Sequence, residues 1–216
     1  MTEAALQVQN LSVTLATDHG PAPVVRDLSF RVERGGTLGI VGESGCGKSM
    51  TALAAMRLLP DSARVSGRIL LQGVDLLALD ETAMCAVRGN RMAMVFQEPM
   101  TALNPAHTIG HQVAESLQIH GRMNAVEAWA EAARLLDVVG IPNAKQRLLD
   151  HPHQLSGGQR QRVVIAIALS CRPAVLIADE PTTALDVTVQ AQILDLLDQL
   201  VGDLEWVWYS SATTWA

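Results

Sequence analysis

The sequence predicts an α/β fold: a doubly wound, mainly parallel sheet, antiparallel β strands at the N-terminus, and an inserted helical subdomain. A short apolar, β-branched run at 37–41 (TLGIV) and a continuous apolar run at 175–178 (VLIA) read as buried strands. Each is followed by residues that carry chemistry, a glycine-rich loop after the first and an acidic pair after the second. A doubly wound sheet brings two such distant segments together, because its ligands bind outside the carboxyl ends of the strands. Between them, from residue 98 onward, the spacing of apolar residues changes to that of helices.

The loop after the first run is Gly42-Glu43-Ser44-Gly45-Cys46-Gly47-Lys48-Ser49, which fits G-x-x-x-x-G-K-[ST] without a mismatch. Residues 50–59 (MTALAAMRLL), beginning at Met50, are rich in helix formers. Strand, glycine loop and helix together define a P-loop NTPase core. Backbone N–H groups and a helix N-terminus then point at phosphate. Gly42, Gly45 and Gly47 let the backbone curl without Cβ clashes. Lys48 supplies a point charge for β- and γ-phosphates, and the Ser49 hydroxyl suits Mg²⁺.

Taken in order, residues 6–15 alternate apolar and polar and predict a strand; 17–23 predict a turn and 24–32 the hairpin partner. Residues 33–36 form a second turn into the P-loop strand. Residues 66–73 predict a strand, 76–88 a helix and 92–97 another strand. Residues 98–105 read as a loop, followed by helices over 108–120 and 125–139. The second carries an apolar stripe of Ala128, Trp129, Ala132, Leu135, Leu136 and Val139, ended by Gly140 and Pro142. One domain over 1–216 is expected: an α/β core from 1–97 and 156–204, a helical subdomain over 98–155, and an aberrant tail over 205–216.

Bulk composition narrows the function. The chain has 216 residues, 49% hydrophobic and 18% charged, an ordinary soluble composition. A net charge of −6 disfavours nucleic acid as a partner. No apolar run reaches the roughly 20 residues of a membrane span, and no signal peptide is evident at the N-terminus. Any membrane partner is therefore expected to be another chain. The three cysteines, Cys46, Cys85 and Cys171, are odd in number and widely spaced, which suits reduced thiols in the cytosol.

Two later motifs complete the pattern. Leu155-Ser156-Gly157-Gly158-Gln159 precedes a predicted helix over 160–169, and Asp179-Glu180 ends the second apolar strand. Asp179 is placed to hold Mg²⁺, directly or through water, and Glu180 to polarise an attacking water. Ser156 offers a hydroxyl, and Gly157 and Gly158 expose N–H groups at a helix N-terminus, a second anion site. Ser156 also reads as a simple helix N-cap. With these motifs the sequence resembles the ABC-transporter ATPases from about residue 6 to about residue 204. Walker A, Gln97 as the glutamine loop, LSGGQ, Walker B and the D-loop (Ala184-Leu185-Asp186) stand in family order. Residues 96–105 (FQEPMTALNP) and 180–190 (EPTTALDVTVQ) are similar to the dipeptide, oligopeptide and nickel importer branch.

The resemblance implies a motor subunit that couples ATP hydrolysis to solute transport. It works as a head-to-tail dimer in which the signature of one subunit closes over ATP on the P-loop of the other. Gln97 then joins Lys48 and Glu180 in catalysis and Ser49 and Asp179 around Mg²⁺, while Asp186 contributes to the nucleotide site. The implied partners are a second ATPase subunit, two membrane permeases and, indirectly, a solute-binding protein. The implied location is the cytoplasmic face of the inner membrane, peripherally bound. A soluble ATPase of DNA repair or translation is the competing class; it fits neither the spacing between motifs nor the acidic charge. His107 and His111 are spaced i, i+4 but read as an exposed helix face rather than a metal site. Cys46 reads as a small residue in the loop and Trp129 as core. The family's adenine-stacking aromatic is lacking near the first hairpin turn, where Leu15 offers apolar contact alone.

The tail departs from the family. Residues 205–216 (EWVWYSSATTWA) hold three of the four Trp, the only Tyr and none of the six His. The resemblance calls for a buried strand and a Ser/Thr-His-Asp switch here, the strand lying between those of Walker A and Walker B. Back-translated and read from the third base of the Glu205 codon, the codons permit MGLVLISHDL, which is that strand and switch. A reading-frame shift at or before Glu205 is therefore expected, leaving a hydrolysis-impaired and less stable chain in which residues 206–209, being β-prone, still form the strand.

Overall fold

The computed structural model describes residues 4–43, 45–96, 99–120, 123–181, 186–201 and 206–211, the last as backbone. The expected site residues Ser44 and Gln97, and residues 184 and 185 of the D-loop, lie outside this set. In chain order the elements are β1 (Ala4–Thr17), β2 (Gly20–Glu33), β3 (Gly36–Val41), α1 (Lys48–Met56), β4 (Ala63–Leu71), β5 (Val74–Asp75), α2 (Glu81–Val87) and β6 (Met92–Val95). They continue with α3 (Pro99–Ala102), α4 (Ile109–Ile119), α5 (Ala125–Val138), α6 (Ala144–Arg147), α7 (Gly157–Leu169), β7 (Val175–Asp179), α8 (Val187–Val201) and β8 (Trp206–Ser211).

Two sheets result. The antiparallel one has the order β2-β1-β4-β5. Its hairpin is tighter than the predicted turn: Thr17 pairs with Gly20, so Asp18 and His19 alone make the reversal. The Thr17 hydroxyl donates to the Gly20 carbonyl at 2.7 Å. The second sheet has the order β3-β8-β7-β6 and every pair in it is parallel. β8, last in sequence, is the strand that joins the P-loop strand to the acidic strand. Residues 206–211 thus take the slot expected of them.

The fully buried strands β6 and β7 are explained by what covers them, whereas β3, also expected to be buried, alternates half-buried and exposed residues and leaves Val41 68% exposed. In β6, Ala93 and Val95 face one hydrophobic cluster and Met92 and Met94 the other; in β7, Leu176 and Ala178 are set against Val175 and Ile177 in the same way. One cluster is completed by α4, α5, α7 and α8, the other by α1 and the antiparallel sheet. A strand buried on both faces has no polar side to show. Each fully buried Leu or Ile contributes about 1.5–3 kcal/mol.

Side-chain caps set several helix starts. Asp80 accepts from the Ala83 N–H at 2.7 Å, which confines α2 to Glu81–Val87 and leaves Leu76–Ala78 as a separate 3₁₀ turn. The predicted single helix over 76–88 is divided there. Asn124 and Glu127 form a reciprocal capping box at the start of α5. The expected loop over 98–105 contains the short helix α3, and α6 follows Pro142 where no element was predicted. Trp129, expected in the core, is 37% exposed, while its stripe neighbours Ala128, Ala132, Leu135, Leu136 and Val139 are buried. It lies at the edge of the stripe, where a ring can cover apolar surface and remain wet.

Candidate functional site

All four strands of the parallel sheet end on one edge. β3 leads from Val41 into Gly42, β7 ends at Asp179, and β6 ends at Val95, two residues before Gln97. β8 pairs Ile40 with Ser210 and Ser210 with Asp179, so the loop and the acid lie two strand spacings apart, about 10 Å.

Around the loop, the Cys46 N–H donates to the Glu43 carbonyl at 3.2 Å. Lys48, the first residue of α1, is 5% exposed and folds its ammonium back over the loop, donating to the carbonyls of Gly42 at 2.8 Å and Glu43 at 2.9 Å. The ammonium is thus held by neutral carbonyls, with no carboxylate among these partners, beside a helix N-terminus. That cradle fits an anionic phosphate chain. Gly47 is required on two counts: its φ is +97°, and a Cβ would lie 2.5 Å from the Val24 carbonyl oxygen of β2. The Thr51 hydroxyl donates to the Gly47 carbonyl at 2.9 Å and pins the first turn of α1. Ser49 and Met50 are half-buried in that turn, and Gly45 and Cys46 are exposed.

Asp179 is buried, 6% exposed, at the end of β7. Glu180 is half-buried and has φ +46°, a left-handed backbone that costs a residue with a side chain about 1–3 kcal/mol. Strand geometry therefore breaks at the second carboxylate. The Ser49 hydroxyl and the Asp179 carboxylate are hard oxygen donors of the kind Mg²⁺ takes.

The LSGGQ segment is built differently from its prediction. α7 begins at Gly157, so both glycines lie inside its first turn. Ser156 is indeed its N-cap: the Gln159 N–H donates to the Ser156 hydroxyl at 3.3 Å, and the Ser156 N–H donates to the Gln159 amide oxygen at 3.1 Å. Capping and anion binding are compatible, since first-turn N–H groups lack intrahelical acceptors. α7 belongs to one hydrophobic cluster and α1 to the other. The two glycine motifs thus start helices on opposite faces of the sheet. Asp186 caps α8, accepting from the Val189 N–H at 3.0 Å. His107 and His111 are exposed and stack with centroids 4.7 Å apart. Among the described residues no group of three or more His, Cys, Asp or Glu is placed to hold a metal ion. No helix among them is long and apolar enough to cross a membrane.

A P-loop and an acidic pair on one edge of a parallel sheet, with a capped glycine turn starting a helix on the sheet's other face, define a nucleotide-binding cassette. The ABC transporter family profile matches residues 25–183, and the chain belongs to that family. It is 55% identical over 206 residues to the glutathione import ATP-binding protein GsiA of Escherichia coli (strain K12), covering 92% of this chain and 33% of that protein. It is 51% identical over 195 residues to the oligopeptide transport ATP-binding protein OppD of Salmonella typhimurium, covering 90% of this chain and 58% of that one. The chain therefore spans about a third and three-fifths of these relatives. Among solved structures it is similar to the ATP-binding cassette MJ0796 in a dimeric post-hydrolysis state bound to ADP and Pi. The TM-score is 0.83 at 27% identity, covering 96% of this chain and 88% of that one.

Gly47→Ala should lower stability by about 1–3 kcal/mol or more, read from the urea midpoint, because it meets both the φ and the Val24 carbonyl. An unchanged midpoint would show that the loop is not held against β2.

Proposed function

We propose that the chain is the ATP-binding and ATP-hydrolysing motor unit of an importer for peptides, with nickel the alternative solute of the same branch. The observation that carries this reading is the juxtaposition of Lys48 with Asp179 and Glu180 across β8 at one sheet edge. Gly42, Glu43, Gly45, Cys46 and Gly47 line the phosphate cradle, with Met50 beside it, and Ser44 is assigned to the same site by its place in the motif. Lys48 neutralises the β- and γ-phosphates as charge migrates during phosphoryl transfer. Glu180 orients and polarises the attacking water. Ser49 and Asp179, with Gln97, would hold Mg²⁺, which would supply charge neutralisation during phosphoryl transfer. Peptides are favoured as cargo by the names of the relatives, which concern glutathione and oligopeptides.

Ser156, Gly157, Gly158 and Gln159 serve the ATP of a second subunit, with Asp186 at the same junction. The placement of α1 and α7 on opposite faces of the sheet supports this division, as does the dimeric state of MJ0796. The membrane is reached through two permeases, with a solute-binding protein delivering cargo, and the unit sits peripherally on the cytoplasmic face of the inner membrane.

A second reading, a hydrolysis-impaired fragment, is favoured by β8 itself. The slot between β3 and β7 is filled by Trp206, Val207, Trp208, Tyr209, Ser210 and Ser211, and residues 205–216 contain no His to meet a γ-phosphate.

In the purified chain Lys48→Ala should weaken ATP binding by about 10-fold or more, since it removes a charged hydrogen-bond donor. In the assembled dimer Glu180→Gln should bind ATP as the parent does and turn it over about 10²-fold more slowly. Parental turnover by Glu180→Gln, or full turnover independent of protein concentration, would contradict the assignment. For the second reading, sequencing the gene and its downstream DNA should reveal the family's strand and switch one base out of register; their absence makes this tail a genuine divergent end.

A further inference from the structure

Two helices that begin at functional loops also meet each other. Gly158 is the second residue of α7 and Val189 the third of α8. A Cβ placed on Gly158 would lie 2.7 Å from Val189 Cγ1, closer than any side chain tolerates. Val189 is half-buried and packs on the cluster that contains Leu176, Ala178, Ile193 and α7. One turn further along, the seam is tied again: Arg162 of α7 donates to the Gln192 amide oxygen of α8 at 3.4 Å. At the other end Asp186 accepts from the Val189 N–H, so this residue is held by backbone and side chain at once.

We propose that Val189 is a positioning residue. Seated in the gap left by the missing side chain of Gly158, it locks the start of α8 to the signature turn of the same chain. The first turn of α8 and the LSGGQ motif then move as one piece. This intramolecular contact requires the absence of a side chain at Gly158 whether or not a phosphate approaches it. The consequence for turnover rests on the ATPase reading; the contact itself does not.

Alanine is a better helix former than glycine, so without a collision Gly158→Ala would stabilise α7. Overpacking reverses the sign. In the full 216-residue chain Gly158→Ala should lower Tm by about 3–8 °C. Gly158→Ala with Val189→Ala should return Tm to that of Val189→Ala alone. Amide exchange across residues 157–160 should quicken in Val189→Ala, because the seat is gone while Gly158 is untouched. Turnover in the assembled dimer should fall about 10-fold or more in Gly158→Ala and recover most of that loss in the double variant. A Tm that rises or stays in Gly158→Ala overturns the contact. Recovery of Tm without recovery of turnover overturns the positioning role, leaving Gly158 needed by the nucleotide. If the parent itself turns over no ATP, the ATPase reading falls, and exchange across 157–160 in Val189→Ala decides alone: quicker supports the seat, unchanged overturns it.

Discussion

The arrangement depends on β8. No ladder joins β3 to β7 directly; each is hydrogen-bonded to β8, the last strand in the chain. Remove it and the P-loop and the acidic pair are carried by separate pieces of sheet. With it, the two sets of side chains face the same edge at the fixed spacing of two strands. The two hydrophobic clusters share this dependence, since the faces of β6 and β7 contribute to one on each side. The site is therefore a property of long-range pairing between residues 36–41, 175–179 and 206–211, with little contributed by any one segment alone.

Within that frame the loops are made rigid by short-range means. Lys48 and Thr51 both tie back to loop carbonyls, and Gly47 fits under a carbonyl of the neighbouring sheet. Ser156 and Gln159 close on each other, and Asp186 closes on Val189. Glu180 is the exception, because its left-handed backbone is unfavourable locally and persists through its surroundings. Strain at the one carboxylate assigned to water activation fits a site that holds its groups in place before the ligand arrives.

Much of this was legible from residues alone. The loop at 42–49 and the acids at 179–180 announce themselves because their chemistry needs fixed residue types at fixed spacing, and the strand before the acids is apolar on both faces. The slot of residues 206–211 followed from the family resemblance; their composition alone says only that they are β-prone. Other features rest on relations that local patterns do not contain. The predicted helix begins at residue 160, after Gly157 and Gly158, because glycine is a poor helix former, yet the Ser156 cap starts α7 ahead of them. Asp80 splits the apolar stretch 76–88 because a cap outranks periodicity. Trp129 follows the helical stripe and still reaches solvent, since the stripe's edge is set by what packs against it. The meeting of Gly158 with Val189 joins two motifs separated by a strand and a turn, and no spacing in the sequence signals it.

The central claim, that residues 206–211 form an interior strand bridging the two halves of the site, is tested most directly by amide hydrogen exchange resolved along the intact chain. Protection over 206–211 should match that of β7, because every amide of an interior strand has a neighbour on one side or the other. Exchange of 206–211 on the timescale of an unpaired tail, with β3 and β7 still protected, would contradict the account.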